Sequence, residues 1–416
     1  MYNHEKFIDN YADICVRKGV NIQPGQALVV NAPVESVDFV RLVAKKAYEA
    51  GAKDVHIRWT DDELTFLKMK HAPMEVLQTF EQWRSDEVVT KAKDGAAFLS
   101  IYATNPELLK DIDADRVAAN NKTTAEGLME FRKYVMSDQV AWSVVSVPTR
   151  EWAKKVFPNE AGEWGAVDKL WKSILFTTRA DQDNPVQAWE DHTATLYKAR
   201  NYLNKKQYAK LVYSAPGTDL TIELVKNHVW MGGGRESASG TSFIPNIPTE
   251  EVFTMPKRDG VNGTVHSTKP FNYGGNLVED FSLTFKDGQV VDYKAATGED
   301  TLKLLLDMDE GARFLGEVAL VPYSSPISQS DVIFFNTLYD ENASCHLALG
   351  EAYPSNIENG TALSDEDKKA AGVNHSIVHE DFMIGSAELN IDGILEDGTS
   401  EPVFRNGDWA IRFDDQ

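Results

Sequence analysis

The sequence predicts an α/β fold: an α/β amino-terminal domain with a largely parallel sheet, followed by an α+β domain. Three observations carry this expectation. Near the start, a strand–helix–strand pattern fits within about 35 residues, and such a unit is normally a parallel crossover. A run rich in Trp and Lys over 150–205 reads as helical. After Asn204 the texture turns to short apolar strands set apart by Gly and Asn. At 416 residues the chain is too long for one ordinary domain. The boundary falls near 205, giving an α/β domain with a helical extension at 1–205 and a second domain at 206–416.

In chain order, residues 4–18 put Phe7, Tyr11 and Ile14 on one helical stripe with Cys15 beside it, and Gly19 stops the helix. Residues 26–31 form a short strand. Ser36 stands as N-cap of a helix in which Phe39, Val40, Val43, Ala47 and Ala50 recur at helical spacing, ended by Gly51. Residues 54–59 return as a strand. A helical stretch near 62–92 follows, then a strand at 96–102, a helix opened by Asn105-Pro106, a helix over 120–136 and a strand at 140–147. Together they make an α/β layer with helices on both sides of the sheet. No Gly-x-Gly-x-x-Gly stands at a strand-to-helix turn, so a dinucleotide site is not supported.

Trp152, Trp164, Trp171 and Trp189 read as core or a helix–helix seam rather than a ligand box. They also offer more apolar surface than one domain junction needs, and large apolar patches mark interfaces. Beyond 205, residues 211–213, 220–224, 278–285 and 290–293 read as strands, with Asp287-Gly288 as a hairpin turn between the last two. The glycines of Met231-Gly-Gly-Gly-Arg235 read as a flexible turn, or alternatively as a backbone cradle for an anion. Glu250-Glu251 opens an apolar strand, so the two carboxylates face opposite sides. One of them can face a core only beside a metal or another cation.

The formal net charge of −22 argues against a nucleic-acid backbone or an anionic membrane as partner. The first residues have no long apolar core of the signal-peptide type, and no apolar run approaches a membrane span. Cys15 and Cys345 are the only cysteines, which suggests no disulfide framework and a reducing compartment. Cys345 stands beside His346 and invites reading as a thiolate ligand. As a strand neighbour it points to the other face, so a buried small residue is the better reading.

Hard and borderline metal ligands concentrate between Gly316 and Gly385. Glu317, Glu341, His346, His379 and Asp381 each border or interrupt an apolar, strand-like run. Zinc, cobalt and manganese take carboxylate and imidazole together. If residues 377–384 form a strand, His379 and Asp381 share a face and Glu380 takes the other. The rival pair is His375 with His379, four apart on a helix. Gly372, Asn374 and the β-branched Ile377-Val378 favour the strand.

Five stretches then carry a resemblance to a known family. They are Ile-Pro-Asn-Ile-Pro-Thr-Glu-Glu-Val-Phe-Thr at 244–254, Gly-Glu-Val-Ala-Leu-Val-Pro at 316–322, Asn-Ala-Ser-Cys-His-Leu-Ala-Leu-Gly at 342–350, Ala-Tyr-Pro at 352–354 and His-Glu-Asp-Phe-Met-Ile-Gly at 379–385. In this order they resemble the aminopeptidase T / aminopeptidase S (AmpS, PepS) metalloaminopeptidases, and the likeness extends to Tyr11-Ala-Asp-Ile-Cys and Asn31-Ala-Pro. The resemblance implies an α/β amino-terminal domain, a metal-binding catalytic domain and a two-metal aminopeptidase. It implies ligands at one Glu of the 250–251 pair, Glu251 being favoured, and at Glu317, Glu341, His346, His379 and Asp381. Tyr353 matches the tyrosine that the family places near its metals. A homodimer is also implied, acting in the cytoplasm on short peptides.

Peptide hydrolysis at neutral pH needs a nucleophile and a place for oxyanion charge. Two divalent ions (Zn, Co or Mn) about 3.5–4 Å apart supply both. Glu317, from a central strand, is the candidate bridge between them. Glu341 is one candidate general base, and Tyr353 a donor to the oxyanion. Two rivals are a non-catalytic metal- or peptide-binding protein and another metal-dependent amidohydrolase. A filled four-ligand site is the mark of the first. Mixed carboxylate and imidazole candidates without a Cys cluster favour catalysis.

Overall fold

The computed structural model describes residues 4–413, except 104, 106, 163, 274 and 275. The chain divides into two compact units. The first comprises Met1–Asp191, Gly234–Pro248 and Val332–Leu338; the second comprises His192–Gly233, Thr249–Asp331 and Tyr339–Gln416. Residue 205 lies in the last turn of the helix Pro185–Lys206.

The first unit is built on a four-stranded sheet of β1 (Ala27–Pro33), β2 (Asp54–Thr60), β3 (Ala97–Ile101) and β4 (Trp142–Val145), in the order β2-β1-β3-β4. All its pairings are parallel. Helix Val37–Glu49 makes the first crossover and buries Phe39, Val40, Val43 and Ala47, four of the five stripe residues. Ser36 precedes this helix, but its hydroxyl donates to the Pro33 carbonyl at 2.6 Å and makes no cap.

The helical stretch expected near 62–92 runs as three helices, Asp62–His71, Met74–Leu77 and Trp83–Lys93. Pro73, without an N–H and with φ locked, forces the first break. Of the helix expected at Asn105-Pro106, Pro106 lies outside the described residues; 107–111 run as turns, and the next helix is Ala114–Gly127. Trp152 and Trp189 are fully buried, their Nε1 groups donating to the carbonyls of Phe334 and Thr178. Trp164 is exposed, under the guanidinium of Arg150.

In the second unit, β5 (Lys210–Ala215), β6 (Thr218–Leu224) and β7 (Met231–Gly232) come first. The short hairpin β8 (Arg235–Glu236) and β9 (Ser242–Phe243) belongs to the first unit. There follow β10 (Val252–Thr254), β11 (Pro256–His266), β12 (Phe271–Tyr273), β13 (Asn276–Lys286), β14 (Gln289–Thr297), β15 (Leu315–Leu320), β16 (His346–Gly350), β17 (His379–Met383), β18 (Asn390–Ile394), β19 (Ser400–Arg405) and β20 (Asp408–Trp409). They form a nine-stranded sheet, β12-β13-β11-β6-β5-β18-β19-β20 with β14 on β13, and a five-stranded sheet, β17-β16-β15-β10-β7. Every pairing in the five-stranded sheet is antiparallel.

Asp287 and Gly288 join β13 to β14 with φ of 50° and 83°, the positive values a two-residue hairpin turn needs. One core serves both sheets. Leu211, Tyr213, Leu220 and Ile222 of the larger meet Val252, Val318, Leu320, Leu347, Leu349 and Phe382 of the smaller in one buried cluster. Alternate residues of the small sheet therefore face away from that core. Among the described residues no helix is long and apolar enough to cross a membrane.

Candidate metal centre

That second face of the five-stranded sheet carries the polar residues. Phe253 lies opposite Ala319, and Ala319 opposite His346. Glu317 lies opposite Ala348, Ala348 opposite Asp381, and Gly350 opposite His379. Directly opposed residues share a face, and Val318, Leu347 and Phe382 take the core side. Glu317, His346, His379 and Asp381 thus project together. Ala319, Ala348 and Gly350 between them are too small to keep the longer side chains apart. Glu251 directly precedes β10, whose Val252 turns to the core. Gly232 of β7 pairs with Val252, and a Cβ there would meet the Glu251 carbonyl at 2.5 Å. Gly232 of the triplet therefore serves close backbone packing behind Glu251 rather than a free turn.

The distances are short. His346 Nε2 lies 3.3 Å from Glu251 Oε2, 3.4 Å from Glu317 Oε1 and 3.9 Å from Asp381 Oδ1. His379 Nε2 lies 3.8 Å from Glu317 Oε2 and 3.7 Å from Asp381 Oδ1. Two groups with metal-ligand geometry result: Glu251, Glu317 and His346, and Glu317, His379 and Asp381. Glu317 belongs to both and turns a different oxygen toward each imidazole. The second ring nitrogens are committed elsewhere: His346 Nδ1 to the Ser344 carbonyl at 3.1 Å, His379 Nδ1 to the Glu351 carbonyl at 2.7 Å. With each Nδ1 facing a backbone carbonyl, Nε2 is the ring nitrogen turned to the carboxylates, as in metal-bound histidines.

The electrostatics ask for positive charge. Burial raises the Glu317 carboxyl to about 7; the His346 hydrogen bond opposes this, and the Asp381 and Glu251 charges add to it. Burial would lower both histidines, yet the hydrogen bonds of Glu251 and Glu317 hold His346 well above its usual value. The charges of Asp381 and Glu317 raise His379. Asp381 Oδ1 is buried without a hydrogen-bond partner. An orphan carboxylate oxygen among clustered acids and two oriented imidazoles fits divalent cations of the zinc, cobalt or manganese type.

The remaining residues fall around this centre. Glu341 sits in a short 3₁₀ turn, Glu341–Ala343, just before β16. Burial, then the charges of Glu251 and Asp381, raise its carboxyl well above the usual range. Tyr353 packs against His379 with centroids 4.7 Å apart and the rings tilted by 48°, and meets Phe253 edge-on at 6.3 Å. Burial and the charges of Glu317 and Asp381 raise its hydroxyl above the ordinary tyrosine range.

Glu250 is 1% exposed and turns to His192, 3.5 Å away, while Glu251 reaches the cluster. His375 is exposed and pairs with Glu351, so the His375–His379 helix is not formed. Cys345 points into the core and bonds the Val321 backbone. Sequence reasoning missed the carbonyls of Ser344 and Glu351 and the side chain of Asn342, whose Oδ1 accepts from the Glu250 N–H at 2.8 Å. Backbone groups have no sequence signature. Asn342 stood inside a quoted stretch, one residue from Glu341, and was the one of these with a signal to find.

Comparison with known proteins adds to the geometry. The chain matches the family described as thermophilic metalloprotease (M29) over residues 4–409. It is 57% identical over 411 residues to aminopeptidase 2 of Geobacillus stearothermophilus, covering 99% of each chain. It is 52% identical to aminopeptidase AmpS of Bacillus subtilis (strain 168), covering 97% of this chain and 98% of the relative. Among solved structures, wild-type AmpT from Thermus thermophilus superposes with a TM-score of 0.91 at 38% identity, covering 98% of this chain and 100% of that one.

Proposed function

This chain belongs to the M29 family of thermophilic metalloproteases and is an aminopeptidase of it; on that premise we propose that it trims short peptides with two divalent ions. Glu251, Glu317 and His346 would hold one ion, and Glu317, His379 and Asp381 would hold the other. One observation carries this reading: Glu317 offers one oxygen to each of two imidazoles whose other nitrogens are tied to backbone carbonyls. When bound, two such ions lower the pKa of a water and polarise the scissile carbonyl.

The side chains supply the rest. Glu317 lies between the two ligand groups, where its charge offsets cation–cation repulsion. Glu341 stands outside both groups and is the candidate general base for the water's proton. Tyr353 keeps its proton and donates to the developing oxyanion. The formal charge of −22 over the chain favours approach of a peptide's free α-ammonium end. Glu317 and His346 are 5% and 1% exposed, so a slender, extended chain end reaches them and a folded surface does not. The proposed assembly is a homodimer, the commonest closed symmetry. Two free, buried cysteines support a cytoplasmic setting.

The test compares amino-acid p-nitroanilides with their N-acylated counterparts. Cleavage of the free-amine substrates alone is expected, lost with a chelator and restored by cobalt, zinc or manganese. Equal cleavage of acylated substrates, or full activity in metal-free protein, overturns the reading.

A further inference from the structure

The two imidazoles are held in different ways. His346 is tethered to Ser344, two residues back in its own segment. His379 depends on a distant residue, Glu351, through that residue's main-chain carbonyl. Glu351 is itself bound to the approach to β17 at two further points. Its N–H donates to the Val378 carbonyl at 2.7 Å, and its Oε2 accepts the Ser376 N–H at 2.6 Å. His375 Nδ1 lies 2.8 Å from the same oxygen. Residues 375–379 are therefore fastened to Glu351 by side chain and main chain together, and Asp309 adds a second anchor by accepting from Ser376 Oγ and the Ile377 N–H. β15 makes room for this: a Cβ on Gly316, next to Glu317, would lie 2.2 Å from the Glu351 carbonyl oxygen.

We propose that Glu351 is a positioning residue for one half of the site: its carboxylate holds the segment entering β17 so that its carbonyl orients His379. The inference rests on the two-ion reading above. Glu351 belongs to neither ligand group and acts through His379. Loss of its carboxylate loosens the Glu317–His379–Asp381 group selectively, because His346 has its own local tether.

The test titrates metal-stripped full-length chain with zinc by calorimetry, for wild type, Glu351→Ala, Glu351→Gln and Gly316→Ala. Anomalous scattering from crystals at limiting zinc assigns occupancy to each group. Wild type that binds fewer than two ions overturns the two-ion reading itself. With two bound, Glu351→Ala is expected to lose about 10- to 100-fold in affinity at the His379 group and nothing at the His346 group. Glu351→Gln keeps an acceptor for the Ser376 N–H and stays close to wild type. Gly316→Ala crowds the same carbonyl but adjoins the shared Glu317, so it is the unselective contrast and weakens both groups. Unchanged binding or equal weakening of both groups in Glu351→Ala, or no recovery in Glu351→Gln, overturns the proposal.

Discussion

Glu317 is a buried acid among acids, and its environment raises its carboxyl to about 7 through burial and the charges of Asp381 and Glu251. An ionised carboxylate in that position is stable only when cations face it. Glu317→Gln keeps the shape and removes the charge. Activity is expected to fall at least about 100-fold, while circular dichroism shows a folded chain. Activity within a few-fold of wild type with both ions bound refutes the bridging role. The neighbours Glu380 and Asp381 make a second contrast: Glu380 pairs with core-facing Leu349, and Asp381 with Ala348 on the site's face. Asp381→Asn should lower metal content measured by elemental analysis, and Glu380→Gln should not. The reverse result contradicts their assignment to opposite faces.

At the scale of elements, the five-stranded sheet divides its labour by alternation. One face of β15, β16 and β17 shares a core with the nine-stranded sheet, and the other carries the carboxylates and imidazoles. The nine-stranded sheet on the other side of that core includes the hairpin β13–β14. Gly288 there has φ of 83°, and a Cβ would lie 1.8 Å from the Arg258 carbonyl oxygen. Gly288→Ala therefore suffers backbone strain of about 1–3 kcal/mol plus a main-chain clash. The expected outcome is a lower denaturant midpoint in chemical unfolding, and an unchanged midpoint refutes the account.

At the scale of the whole molecule, the first unit uses most of the apolar surface that its tryptophans suggested. Trp152 and Trp189 are buried within that unit, and Trp164 is the exposed member of the set. An interface between copies must draw on other surface as well. The homodimer remains the proposed assembly, and light scattering at micromolar concentration should report twice the chain mass. A monomer mass refutes it. The formal charge of −22 makes such association salt-sensitive, through repulsion between like-charged copies.

The sequence by itself determined the succession of elements and the classes of the two halves, because periods of 3.6 and 2 and turn residues such as Asp287-Gly288 are local properties. It also determined that His379 and Asp381 share a face once residues 379–383 are a strand, since the side-chain period of a strand is two. Other features were decided by contacts distant in the chain. The choice between Glu250 and Glu251 at the cluster depended on β10 pairing with β15 and β7, with Gly232 giving up its side-chain volume to the Glu251 carbonyl. The orientation of the imidazoles depended on carbonyls of Ser344 and Glu351, which every residue possesses and no sequence pattern marks. Only the tertiary structure could decide these, because strand register and backbone hydrogen bonding join residues whose separation in the chain carries no information about their distance in space.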